Sequence, residues 1–105
     1  MATDPLDALD ALIRTRKGAD PTSSYTAKLF ADGRAKIAQK VGEEATETVI
    51  AAMGSDTKAL TGEAADLLYH LLVLLADAGL TLDDVRTELA RRTGVSGHDE
   101  KAARS

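Results

Sequence analysis

Two groups of carboxylates carry the chemistry this chain could do. Glu43-Glu44-x-x-Glu47 and Glu63-x-x-Asp66 both fall inside stretches that read as helix, and the second leads straight into the apolar run Leu67-Leu68-Tyr69-His70-Leu71-Leu72-Val73-Leu74-Leu75. Side chains three or four residues apart lie side by side on a helix, so Glu44 and Glu47 can reach one ion together, as can Glu63 and Asp66. Two antiparallel helices packed ~8–10 Å apart would set the pairs face to face. Carboxylates crowded against an apolar wall repel one another and lose hydration, and they stay ionised only beside a cation. Mg2+, as one ion or two, is the expected occupant, because it takes oxygen ligands and binds alongside substrate phosphates. Such a site suits attack of water on a phosphate. Glu43, at the edge of the arc, is expected to orient that water, act as base or support the ligands.

Helices must position these groups, and no segment reads as a strand. Thr3 or Asp4 caps a first helix that begins at Pro5 and runs to about Lys17. Gly18 to Ser23 is a linker. Ser23 or Ser24 caps a short second helix ending at Gly33, and a third runs from about Arg34 to Met53. Gly42 inside it suggests close approach of backbone to a neighbour. Asp56 or Thr57 caps a fourth helix that runs to Ala78, with Gly79 as its stop, and Thr81 opens a fifth that ends at Gly94. On the third helix Lys36, Lys40, Glu43, Glu44 and Glu47 share about a third of the circumference, opposite Ile37, Val41, Ala45, Thr48 and Ala52. The fourth is apolar nearly all round from Leu67 to Ala76, as suits the central helix of a bundle or a dimer interface. The fold class expected is all-α, a bundle of about four to five helices completed by dimerisation.

Lys36 and Lys40 can hold substrate phosphates as compact charges, or pair within their helix. His70 shares a stripe with Glu63 and Asp66. It either supports the ligands or is a partly buried histidine with a backbone partner, the plainer reading. Tyr25 and Tyr69 read as core or interface residues, unless a hydroxyl reaches the phosphates. Arg91-Arg92 reads as a solvated basic end.

The chain has 105 residues, enough for one domain, taken as 1–94 with a polar tail over 95–105. It has no Cys, no Trp and one Phe, so the core must be built from Leu, Val, Ile and Ala, and thiolate metal sites are excluded. The net charge of −4 argues against binding nucleic acid through a basic face, though not against a single nucleotide held through metal. The run from Leu67 to Ala76 is about half of the roughly 20 apolar residues that span a bilayer, and no signal peptide is evident. A cytoplasmic protein is expected.

With the residues laid out, Glu44-x-x-Glu47 followed by Glu63-x-x-Asp66 resembles the signature of the all-α nucleotide pyrophosphohydrolases, the MazG-like superfamily. Within it, Ser24-Tyr25-Thr26-Ala27-Lys28-Leu29, Lys40-Val41-Gly42-Glu43-Glu44-Ala45 and Glu63-Ala64-Ala65-Asp66-Leu67-Leu68-Tyr69-His70 closely resemble the phosphoribosyl-ATP pyrophosphatase family. The likeness covers about Pro5 to Arg92, and Ser96-Gly97 with Glu100-Lys101-Ala102 resembles a tail seen in some members. The resemblance implies Mg2+-dependent hydrolysis of phosphoribosyl-ATP to phosphoribosyl-AMP and pyrophosphate, the second step of histidine biosynthesis. It implies a helical homodimer with its site near the subunit interface. Glu44, Glu47, Glu63 and Asp66 carry over as metal ligands, and Glu43 as a catalytic residue with Glu44 and Glu47. A house-cleaning pyrophosphatase for other nucleoside triphosphates would share the ligands and differ in its base pocket. A non-catalytic dimerisation module would leave the carboxylates facing solvent.

Overall fold

The computed structural model describes residues 4–93, so the tail from 95 to 105 lies outside the described residues, as do Thr3 and Gly94. Five helices follow one another: α1 (Pro5–Thr15), α2 (Tyr25–Asp32), α3 (Arg34–Ala52), α4 (Thr57–Asp77) and α5 (Leu82–Thr93), with no strand among the described residues. The all-α expectation holds.

Local chemistry sets most of the boundaries. The Asp4 carboxylate accepts from Leu6 N ahead of Pro5, and the Ser24 hydroxyl accepts from Ala27 N. Asp56 accepts from Lys58 N and Ala59 N. Each satisfies amides that have no partner within the helix. Thr81 and Asp84 bond each other's backbone N–H reciprocally at the start of α5. Gly33, at φ 97°, turns α2 into α3 with a backbone that other residues rarely adopt. α1 stops two residues short of Lys17, whose ammonium instead donates to the Ala76 and Asp77 carbonyls at the end of α4. Arg34 pairs with the Asp77 carboxylate at the same end. Two cations thus meet the negative pole of the longest helix.

α3 and α4 form an antiparallel hairpin across the short turn from Met53 to Asp56 and make the most extensive packing in the molecule. α1 and α2 pack across its far end. Ile13, Leu29, Ile37, Leu72, Val73 and Ala76 form the core where these four helices meet, with Phe30, Tyr69 and Leu82 packed against it. The core is aliphatic, as the composition requires. α4 is long and apolar enough, by length and composition alone, to cross a membrane. In the bundle it is the central helix, with His70, Leu72, Val73 and Ala76 buried. α5 rests on α1 through Leu82, an Arg86–Asp7 ion pair, and the buried Asp10 carboxylate, which accepts from Leu82 N at 3.5 Å and pairs with Arg14 at 3.3 Å.

Candidate metal centre

The hairpin brings the two carboxylate groups together near its middle. Glu44 on α3 and Glu63 and Asp66 on α4 each present one oxygen within 4.8 Å of the other two. Glu47 comes against both Glu44 and Glu63. Glu44 and Glu63 are half-buried, and Asp66 and Glu47 are exposed. The register is pinned by Thr48, whose hydroxyl lies 2.8 Å from the Glu44 carbonyl and 3.2 Å from the Glu63 carbonyl. One hydroxyl therefore ties together the backbones of two facing carboxylate residues.

Electrostatics mark the cluster as unfinished. The Glu44 carboxyl is held above the usual carboxylate range, first by burial, then by contact with Glu47 and by its charge, with Asp66 adding and His70 opposing. Glu63 is raised as well, first by its contact with Glu47, then by burial and the charges of Glu47, Asp66 and Glu44. Glu44 Oε2 and Glu63 Oε2 are buried without any hydrogen-bond partner. Among the described residues no lysine or arginine forms an ion pair with any of the four. Unpaired oxygens from several acids, converging and set on two rigid helices, fit a hard divalent cation, which supplies the missing charge and takes oxygen ligands.

Glu43 behaves differently. Its Oε1 accepts from Gln39 Nε2 at 2.8 Å and its Oε2 lies 3.4 Å from Lys40 Nζ, and both neighbours hold its carboxyl below the usual range. It lines an open groove of about 580 Å3 with Gln39, Gly42, Thr46 and Glu47. Glu47 thus belongs to both the groove and the acidic cluster. Gly42 packs against nothing, since a side-chain carbon there would meet open space, so the expected close approach is absent among the described residues.

The sequence profile described as phosphoribosyl-ATP pyrophosphohydrolase matches residues 6–93. The chain belongs to the phosphoribosyl-ATP pyrophosphohydrolase family. Proteins called phosphoribosyl-ATP pyrophosphatase are similar to it along nearly their whole length. That of Rhizorhabdus wittichii is 62% identical over 97% of this chain and 96% of its own. That of Azospirillum brasilense is 63% identical over 94% and 89%, and that of Zymomonas mobilis 56% identical over 99% and 97%.

In this member of the phosphoribosyl-ATP pyrophosphohydrolase family, Glu44, Glu47, Glu63 and Asp66 converge as the spacing predicts, and Glu43 stands beside them facing the groove. Lys40 flanks the cluster and is engaged with Glu43, while Lys36 is exposed and forms no ion pair among the described residues. His70 is buried and has a backbone partner, its Nδ1 lying 2.8 Å from the Asp66 carbonyl, but its Nε2 also meets the Tyr25 hydroxyl at 3.1 Å. Tyr69 packs on the core, whereas Tyr25 is 50% exposed at the rim of the site. Thr48 was hidden among the apolar positions of α3. Its only trace in the sequence is a hydroxyl four residues after Glu44.

Proposed function

We propose that this chain hydrolyses phosphoribosyl-ATP to phosphoribosyl-AMP and pyrophosphate with Mg2+, as the second step of histidine biosynthesis in the cytoplasm. Family membership supports the reaction. The observation that carries the metal is the pair of buried, partnerless oxygens on Glu44 and Glu63, which converge with Asp66 and have Glu47 against them.

Glu44, Glu47, Glu63 and Asp66 would hold the ion. When bound, Mg2+ neutralises phosphate charge and lowers the pKa of water in its coordination shell. The chain's own residues do the rest. Lys40 and Lys36 put positive charge one and two turns before Glu44 on α3, where they attract the polyphosphate. Glu43, kept ionised by Gln39 and Lys40, accepts a hydrogen bond from the attacking water at the groove. Water adds to one phosphorus of the α–β bridge, the bridging bond breaks, and pyrophosphate departs with one proton released to solvent. The rigid hairpin contributes orientation, since all of these groups stand on two packed helices.

The same reading takes the active species as a homodimer. Val49 and Ile50 on α3, Met53 just past its end, and Leu68 and Leu71 on α4 are large apolar side chains left exposed, Met53 at 80%. An exposed apolar surface of this kind is typical of a self-association face. Light scattering of the purified protein should give twice the chain mass.

The deciding experiment is pyrophosphate release from phosphoribosyl-ATP, ATP, dUTP and dCTP with Mg2+ and with chelator. Release from phosphoribosyl-ATP that depends on Mg2+ is expected. Release mainly from the simple nucleotides would overturn the substrate, and release that survives chelation would overturn the metal.

A further inference from the structure

Tyrosine placement in this chain is unusual for its composition. There are two tyrosines, one phenylalanine and no tryptophan in 105 residues, and the core is aliphatic. Yet both tyrosines join the buried His70 in one aromatic cluster directly behind the acidic site. Tyr25 stacks on Tyr69 with ring centroids 6.3 Å apart, and both meet the His70 ring edge-on, at 5.9 Å and 4.9 Å.

Within the cluster the polar atoms have defined partners. The Tyr69 hydroxyl bonds the Thr26 hydroxyl. His70 Nδ1 faces the Asp66 carbonyl, which can only accept, so that nitrogen carries a proton and donates. In the neutral imidazole Nε2 is then an acceptor, and the Tyr25 hydroxyl gives its proton to it. The Tyr25 oxygen is left with lone pairs to offer and no proton. It can receive a hydrogen bond from an alcohol or an ammonium, and it has nothing to give a phosphate oxygen, which only accepts. Through His70 the tyrosine is joined to the backbone of Asp66, so it stands beside the acidic cluster at its half-exposed rim. The group one ester bond away from an α-phosphate is the sugar, which carries hydroxyl donors.

We propose that Tyr25 contacts the sugar of the triphosphate-bearing nucleotide, accepting a hydrogen bond from one of its hydroxyls, and that His70 is the positioning residue that fixes the tyrosine's direction. The proposal rests on the nucleotide reading of the site given above. A tyrosine already clamped by His70 and Tyr69 loses little side-chain freedom on binding, which favours such a role.

The test is steady-state hydrolysis of phosphoribosyl-ATP and its 2′-deoxy and 3′-deoxy analogues on that ribose, by wild type, Tyr25→Phe, His70→Leu and the double variant. A neutral hydrogen bond of ordinary strength predicts a KM about three- to tenfold higher for Tyr25→Phe, with kcat within about twofold. One of the two deoxy analogues should show the same handicap with wild type and none with Tyr25→Phe. His70→Leu should raise KM in the wild-type background and add nothing to Tyr25→Phe, a pattern that general loosening of the fold would not give. Wild-type KM in Tyr25→Phe, a fall in its kcat at unchanged KM, or an undiminished handicap of both analogues in Tyr25→Phe would each overturn the proposal while normal wild-type turnover leaves the reaction assignment standing. Absence of wild-type turnover would sink both.

Discussion

Thr48→Val is the sharpest probe of how the fold builds the site. The substitution keeps shape and removes one hydroxyl, which touches the carbonyls of Glu44 and Glu63 at 2.8 and 3.2 Å. Both carbonyls lie inside helices and keep their helical N–H partners, so no buried acceptor is orphaned. The stability cost is then that of one neutral hydrogen bond, about 0.5–1.5 kcal/mol. For a domain of this size it lowers the melting temperature by about 4–8 °C per kcal/mol. The functional cost should be larger, because the lost bond fixes the separation of two carboxylates proposed to share a cation. Loss of groups that support metal ligands typically costs about 10–100-fold in metal affinity or activity. The assay is the Mg2+ dependence of pyrophosphate release beside a thermal melt in chelator. The expected result is a Mg2+ requirement shifted at least tenfold upward, activity partly recovered by more Mg2+, and restoration by Thr48→Ser. A Thr48→Val protein with the wild-type Mg2+ curve would refute the view that this hydroxyl sets the spacing of the ligands.

Three further outcomes follow from the same geometry. Glu44→Gln and Asp66→Asn should each lower turnover by orders of magnitude while leaving the metal-free melting temperature unchanged or higher, since each removes a like charge from the cluster; a marked drop in stability would count against crowding. Because Glu44 and Glu63 are raised above their ordinary 4.5, the folded protein binds protons there more tightly than the unfolded chain. Stability in chelator should therefore rise as pH falls through their folded values toward 4.5, above the range where Glu43 and Glu88 titrate, and saturating Mg2+ should flatten that slope; calorimetry at a series of pH values reads it directly. Asp10→Ala should cost about 1–3 kcal/mol in urea unfolding, because it leaves Leu82 N and Arg14 without their buried partner, and hydrogen exchange should speed up selectively in α5.

Much of the fold was legible because its signals are local. Asp4, Ser24 and Asp56 cap their helices within three residues, and Gly33 and Gly79 end theirs with positive φ. The convergence of the carboxylates was also legible, since i, i+3 spacing and a short hairpin turn leave them little choice. Other features depend on how helices face one another, and no single segment encodes that. Glu43 and Glu44 are chemically identical neighbours about 100° apart on the helix, and only the partner helix decides which turns inward. Tyr25 and His70 are 45 positions apart, and Asp10 and Leu82 are 72 apart. Lys17 looked like a last helical residue until the end of α4 supplied carbonyls for it to cap.

The confinement of all four acids to the α3–α4 hairpin has a kinetic consequence. The contacts that assemble the site, such as the Thr48 to Glu63 bond across 15 positions, close a short loop, whereas those that dock α1 and α5 span most of the chain. Local closures form early, because they give up little chain entropy before being rewarded by contacts. The hairpin should therefore become recognisable before the rest of the bundle has condensed, and with it the ring of like charges that resists its own closing. A divalent ion present during refolding would relieve that resistance at the nucleus, so Mg2+ is expected to accelerate folding as well as to stabilise its product.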